Sequence, residues 1–376
     1  MKREGSERGV ALLMVLLVVA LLTAVIVDFS FNTRLDARIA ANVRDSLIAS
    51  SLARSGYDMA LTLLMEDASG EGSSGSAGGN EAVSAILKRA RQEAKSGNSK
   101  GSSKQVDSVD SLQDAWARMD LLQIPLEEGQ DLQVQVHDLA GRINLNAIIT
   151  QGKGGTVVLN RPVFDQLVTL IDQALTEQDR GQRRDPEELS AEDIAYAIAD
   201  WVDPDEIRLS DGAFEDEVYN SLSDPYSSKN GPFDSVAELQ LVEGVDDALY
   251  AAIKDAVTVY PFEGGGAINI NTAPPTVLRS IRFRANNAID TAEPLSEENI
   301  TRILEARNAG DVLKSESDLR ELLGLDAAAV FTPDITFGSN VFAIEALGKA
   351  GETTRRIQAV VDRGDEGPKV LYWRVD

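Results

Sequence analysis

Between Val10 and Val27 the chain reads VALLMVLLVVALLTAVIV, eighteen residues without a charge. Coiled as a helix at about 1.5 Å per residue, that run spans roughly 27 Å, close to the hydrocarbon thickness of a bilayer. The next forty residues are more polar but keep a helical rhythm. Leu35, Ile39, Val43 and Leu47 recur every fourth position, followed by Ile48, Leu52, Leu61 and Leu64, with no proline and a single glycine, Gly56. The spacing predicts one amphipathic helix growing out of the apolar run, about 85 Å long from Val10 to near Glu66. In the leading MKREGSERG, Lys2, Arg3 and Arg8 outnumber Glu4 and Glu7. The start is therefore expected to stay cytoplasmic and the remainder to be exported. A secretory signal peptide would have a shorter apolar core followed by a small-x-small cleavage site.

Further along, the period changes twice. Two Gly/Ser-rich stretches, SGEGSSGSAGG and SGNSKGSSK, predict flexible loops over 67–80 and 96–104, with a helical spacing between them in EAVSAILKRARQEAK. Then Leu132, Val134 and Val136 alternate with Gln133, Gln135 and His137, a half-buried strand. Gly141 marks a turn, and Ile143 to Asn146 a second short strand. From 147 to 334 the pattern is mainly helical, interrupted by the strand-like AININ. Ser190 with Asp193 three residues on forms an imperfect capping box. DSVAELQLVEGVDDALYAAIKDAV reads as a helix, a turn at Gly244 and a second helix. From 335 to 376 strands return: VFAIEALGKAG, ETTRRIQAVVDR and PKVLYWRVD form a meander with glycines at its turns.

Composition narrows the chemistry. The 376 residues hold 36 basic and 61 acidic side chains, a formal charge of −25, which repels nucleic acid and anionic lipid and attracts divalent cations. There is no cysteine, so disulfides, thiolate metal sites and a cysteine nucleophile are excluded. His137 is the single histidine, and no Walker loop, G-x-S-x-G or H-E-x-x-H occurs. The glycines at 264–266 precede a strand and read as a turn. Trp116, Trp201 and Trp373 read as core or interface anchors. The hairpin ELQLVEGV has the outline of a helix-hairpin-helix, a device that grips phosphates. Its flanks, however, are Glu238, Glu243, Asp246, Asp247 and Asp255 against Lys254, which argues for packing over DNA.

A short basic leader ending in Arg8-Gly9, an apolar stretch and a long amphipathic helix resemble a type IV prepilin-like protein. HDLAGRINLN resembles the strand-turn motif of one branch, the minor pseudopilin K family of type II secretion (general secretion pathway protein K). ADWVDPDEIRLSDGAFEDEVY followed by NGPF and ELQLVEG is similar to that family's acidic segment. The resemblance implies an α+β, type IV pilin-like fold, with a long N-terminal helix on an antiparallel sheet and a large inserted helical domain. Residues 1–9 would be a leader cut after Gly9 by a prepilin peptidase, leaving Val10 as the methylated first residue. Residues 10–27 would cross the inner membrane once, 28–146 would hold the pilin-like helix and first strands, 147–334 the inserted domain, and 335–376 the strands completing the sheet in the periplasm. Most pseudopilins carry glutamate at the fifth processed position. Met14 stands there, a departure characteristic of this branch and suited to a subunit at the filament's end. The implied work is structural: capping a filament with minor pseudopilins I and J, then other pseudopilins, to support export of folded proteins, with no catalysis and no nucleic acid.

Nine carboxylates crowd the loop from Asp200 to Asp224. They read either as a solvated acidic loop or as a site for Ca²⁺, which takes six to eight oxygens. An EF-hand pattern is not matched. The family resemblance favours Ca²⁺ and points to Asp203, Asp205, Asp211, Glu215 and Asp216 as ligands. Phe214, an extra residue relative to the family's pattern, leaves the register of the last two open. Two other functions stay in view: a DNA-binding tip component of a DNA-uptake pilus, using the hairpin, and a membrane-tethered hydrolase, using a carboxylate pair.

Overall fold

A computed structural model describes residues 5–68, 109–119, 124, 126–152, 157–178, 189–284, 292–364 and 367–376. The Gly/Ser-rich stretches and the helical spacing between them lie outside the described residues. The first helix, α1 (Gly5–Ala68), is unbroken for 64 residues, about 96 Å. It runs past the expected start of the first loop. Every side chain from Ala11 to Ala40 is exposed, and these include the apolar run from Ala11 onward. Farther down, Ala53, Tyr57, Ala60 and Leu64 are buried on one stripe. One helix thus has an apolar half without a partner among the described residues and a half that covers a sheet.

That sheet begins with β1 (Gln130–Asp138), whose alternating burial matches the Leu/Val against Gln/His pattern. The chain then leaves it for an α-domain. β2 (Ile143–Asn144) ends early, because Leu145–Ala147 turns into a 3-10 helix held by the Asn144 side chain. A hairpin of β3 (Ile149–Gln151) and β4 (Val157–Leu159) follows. Next come α2 (Arg161–Gln178), α3 (Ala191–Val202), α4 (Asp216–Asn220), a 3-10 turn at Val236–Leu241, and α5 (Asp247–Ile253). β5 (Val257–Thr258) pairs in parallel with β2. Expected among the first pilin strands, β2 therefore belongs to the α-domain. The domain continues through β6 (Ile268–Asn269), α6 (Pro275–Leu278), β7 (Arg282–Arg284), β8 (Glu293–Pro294), α7 (Glu297–Ala309), α8 (Glu316–Leu323), β9 (Val330–Thr332) and β10 (Ile335–Thr336). Ile335 and Thr336, expected with the C-terminal strands, instead pair with β6.

The chain returns to the sheet as β11 (Val341–Ala350), β12 (Thr353–Asp362) and β13 (Lys369–Val375), giving the antiparallel order β1-β11-β12-β13. α1 lies on one face, against Val134, Val136, Phe342, Ile344, Ala346, Ile357, Ala359 and Val361. Gly348 sets the distance: a Cβ there would sit 2.2 Å from the Ala49 carbonyl oxygen, so helix and strand touch backbone to backbone. On the other face Ala343 and Val360 join the α-domain core, which extends through Leu139, Phe164, Ile198 and Phe233.

A buried polar joint ties the two bodies together. Arg363 donates to both oxygens of Asp110 at 2.6 Å, to Asp67 and to the carbonyls of Leu64 and Ser339. Asp138, at the end of β1, accepts from the Ala140 N–H and from Asn269, Thr272 and Ser339.

Candidate metal centre

The end of α3 and the hairpin after it build the site. Ser190 caps the helix in a complete box: its hydroxyl accepts from the Asp193 N–H, and Asp193 accepts from the Ser190 N–H. Ile194, Ala195, Ile198 and Ala199 bury the apolar face. Asp200 and Asp203, three residues apart at the helix end, share a side. The Asp203 N–H still closes on Ala199. Beyond it the chain folds on itself. Ile207 bridges Phe214, Arg208 N–H donates to Ala213, and Gly212 turns with φ +76°. Glu215 N–H then reaches the Glu206 carbonyl, which brings Glu215 back beneath the helix end. Trp201 floors the region, with Tyr219 and Phe233 rings 5.7 and 6.4 Å away.

Asp200, Asp203 and Glu215 each present an oxygen within 4.8 Å of the others. They are 5%, 1% and 3% exposed. No hydrogen bond of ordinary geometry reaches either oxygen of Asp203 or of Glu215, although the Asp205 N–H and the Ser228 hydroxyl lie near enough to lower their pKa values slightly. Asp200 accepts one, from the Leu209 N–H at 2.9 Å. Arg208 is the near cation, but it turns to Glu243 at 3.5 Å and Asp211 at 4.0 Å. At an effective dielectric of about 20, two ionised oxygens at that spacing repel by about 3.5 kcal/mol. Without a cation the group escapes this by holding protons. Burial first, then the neighbouring carboxylates, push Asp203 up to about 7, and burial raises Asp200 to about 6 and Glu215 to about 7.

The structure thus brings Asp203 and Glu215 together and adds Asp200, which lies outside the ligand set expected from sequence. It does not bring in the other three. Asp205 accepts from the Ile207 N–H and Asp211 from the Ala213 N–H, each tying a turn two residues on. Asp216 accepts from the Ser228 N–H, which holds its carboxyl below the usual range. These three serve the backbone of the loop. At the extra residue, Phe214 is 58% exposed, Glu215 is buried and Asp216 turns to Ser228. The spacing of Asp200 and Asp203 at a helix end is the signal in the sequence that singles out Asp200.

The donors fit a hard cation. Four carboxylate oxygens are buried without a donor, an arrangement that a loop with no cation to hold would avoid. A second carboxylate group, Asp67, Asp110 and Asp114, makes the contrast. There the Arg363 side chain supplies a positive charge, although burial still raises Asp110 and Asp114. The Gly244 turn of the 3-10–α5 hairpin packs against the α-domain: a Cβ there would lie 2.8 Å from Ile194 and 2.9 Å from Leu189 side chains.

A family profile described as "Type II secretion system (T2SS), protein K" matches residues 141–262, a span that includes the whole carboxylate cluster. Type II secretion system protein K of Pseudomonas aeruginosa is 24% identical over 365 residues, covering 97% of this chain and 91% of the relative. The protein of the same name from Klebsiella pneumoniae is 29% identical over 274 residues, covering 72% of this chain and 67% of the relative. In overall shape the chain is similar to a chain in the crystal structure of the GspK-GspI-GspJ complex from the type 2 secretion system of enterotoxigenic Escherichia coli. The TM-score is 0.52 at 19% identity, over 91% of this chain and 99% of that one.

Proposed function

We propose, from the premise that this chain belongs to the type II secretion system protein K family, that it is a minor pseudopilin sitting at the tip of the pseudopilus. The observation that carries this reading is α1, one rod that is bare and apolar through Val27 and becomes the spine of a folded head. The rod anchors the chain once in the inner membrane and holds the head in the periplasm. Below the head, Leu35, Ile39, Val43 and Leu47 stay exposed. They extend the apolar surface on which helices of pseudopilins I and J, and then other pseudopilins, pack by close van der Waals contact. Met14 offers no carboxylate to a subunit ahead of it, and the α-domain, entered between β1 and β11, is bulk in the way of one. The work is steric and adhesive, and the reading has no catalytic step.

Ca²⁺ is the cation proposed for the loop, with Asp200, Asp203 and Glu215 as side-chain ligands. When bound it supplies positive charge that no residue of the cluster supplies. The three carboxylates then ionise and tie the end of α3 to the 206–215 hairpin. Processing follows the family: cleavage after Gly9 and methylation of Val10 by prepilin peptidase. Mass analysis of the N-terminus from the native membrane tests the class, with loss of residues 1–9 and a methylated Val10 expected. Retention of the leader refutes processing. Co-expression with pseudopilins I and J of the same system tests the tip: a ternary complex is expected, and its absence with calcium present counts against that role.

A further inference from the structure

Arg142 stands where the sheet meets the α-domain, in the turn after β1. Its side chain is half-buried, and among the described residues its guanidinium makes no hydrogen bond and closes no ion pair. Two carboxylates act on it from a distance, Asp255 and Asp138. Asp138 is already committed to four donors. Asp255 lies on a neighbouring cleft of about 190 Å³, which Arg142 also lines. A charged fork left half out of water with no direct partner is unfavourable, because Asp255 and Asp138 offset its desolvation only in part.

The larger space beside it is a partly open cleft of about 420 Å³ between the outer face of the sheet and the α-domain. Leu139, Val259, Ala343 and Val360 give it apolar walls. Its own acids are already paired: Asp234 with Lys229 at 2.8 Å and Glu345 with Arg356 at 3.1 Å. His137 also lines it, and burial together with Arg142 pushes the imidazolium down, so at neutral pH it adds no charge. Arg142 is then, among the described residues lining this apolar cleft, the charge that closes no ion pair, and the cleft is in the size range of small-ligand sites, roughly 300–1,000 Å³.

The geometry points to a binding site for a small organic acid, its carboxylate taken by the Arg142 fork and its apolar body laid against Leu139, Val259, Ala343 and Val360. The site is separate from the carboxylate cluster and does not depend on the role at the filament tip. A planar fork suits a carboxylate with two parallel hydrogen bonds, and the apolar walls offer little that a longer charged ligand would need.

The test uses the full chain in nanodiscs, with empty nanodiscs subtracted, and 3-phenylpropionate in equilibrium dialysis. Saturable retention is expected. Arg142→Gln should weaken it at least tenfold, and 3-phenylpropanol, which keeps the body and lacks the charge, should bind at least tenfold more weakly than the acid. Ala343→Phe fills the cleft and leaves Arg142 in place; it should also abolish retention. Should Arg142→Gln fail to fold, the neutral analogue and the filled cleft decide alone. Non-saturable uptake, or equal binding of acid and alcohol, overturns the site. Acetyl-Val-Leu is run as the free-acid peptide alongside: tighter binding of it than of phenylpropionate overturns a small acid in favour of a chain end.

Discussion

Removing calcium should destabilise this protein in a way that depends on pH with an inverted sign. Most carboxylates are ionised more readily in a folded protein, and their stabilisation is lost in acid. Here Asp203 is pushed up to about 7 from an ordinary value near 3.8, and Asp200 and Glu215 rise as well. The folded, metal-free state therefore binds more protons than the unfolded one between pH ~4 and ~7, and stability must fall as pH rises through that window. For Asp203 alone, that rise corresponds to about 4 kcal/mol, or on the order of 2–4 kcal/mol once screening by nearby solvent is allowed for. Under the proposed reading, bound calcium would remove that cost by replacing protons. At about 100 times its dissociation constant it adds about 2.7 kcal/mol, which for a head of this size is a rise of roughly 5–10 °C in midpoint. The assay is thermal unfolding of the full chain in nanodiscs, with calcium or with chelator, near pH ~5.5 and pH ~8. A large calcium shift is expected at the higher pH and a small one at the lower, where protons compete. Asp203→Asn sharpens the test. It should abolish the calcium shift yet make the metal-free protein more stable than wild type near pH ~8, because it deletes a buried repulsion. A midpoint indifferent to calcium at the higher pH, or a metal-free Asp203→Asn less stable than metal-free wild type there, refutes the reasoning.

Asp205→Ala and Asp211→Ala should leave the calcium shift intact and cost less than about 1 kcal/mol each, since both carboxylates only tie exposed turns; titration of calcium by calorimetry checks this. Gly348→Ala places a methyl group 2.2 Å from the Ala49 carbonyl and should cost about 1–3 kcal/mol, read as a lower urea midpoint. Arg363→Met strands Asp110 and Asp67 without their cation and should cost about 3–5 kcal/mol; adding Asp110→Asn should recover part of it, measured as a double-mutant cycle.

Much of the architecture is written in local periods. Four-residue spacing through Leu64 predicts α1, and alternation at Leu132, Val134 and Val136 predicts β1, because both patterns follow from the backbone geometry of a single element. Non-local pairing has no such trace. Ile143 and Asn144 look like a pilin strand on their own, and only their partner Val257–Thr258, more than a hundred residues on, places them in the α-domain. Ile335 and Thr336 differ from the neighbouring C-terminal strands in the same way: β6 claims them first. A two-residue strand holds too little pattern to say which sheet it joins.

The acidic loop shows why a count of carboxylates could point to a buried cluster without naming its members. Nine acids crowd one segment, and their chemistry is nearly identical until folding divides them. What divides them is the next donor along the chain. Asp205 and Asp211 each find an N–H two residues ahead, Asp216 finds Ser228, and each is thereby satisfied by backbone. Asp203 and Glu215 close no such bond: the helix end and the returning hairpin have committed their own N–H groups to Ala199 and Glu206, and the Asp205 N–H and Ser228 hydroxyl act on them only weakly. The same rule separates the two buried triads. Asp110 has Arg363, carried to it by β12 from 253 residues away, and is a joint. Asp203 has only other acids beside it, and under the proposed reading its positive charge comes from solution. A ligand set in such a loop is therefore found by asking which carboxylates the backbone leaves unsatisfied, and that depends on hydrogen bonds that exist only in the fold.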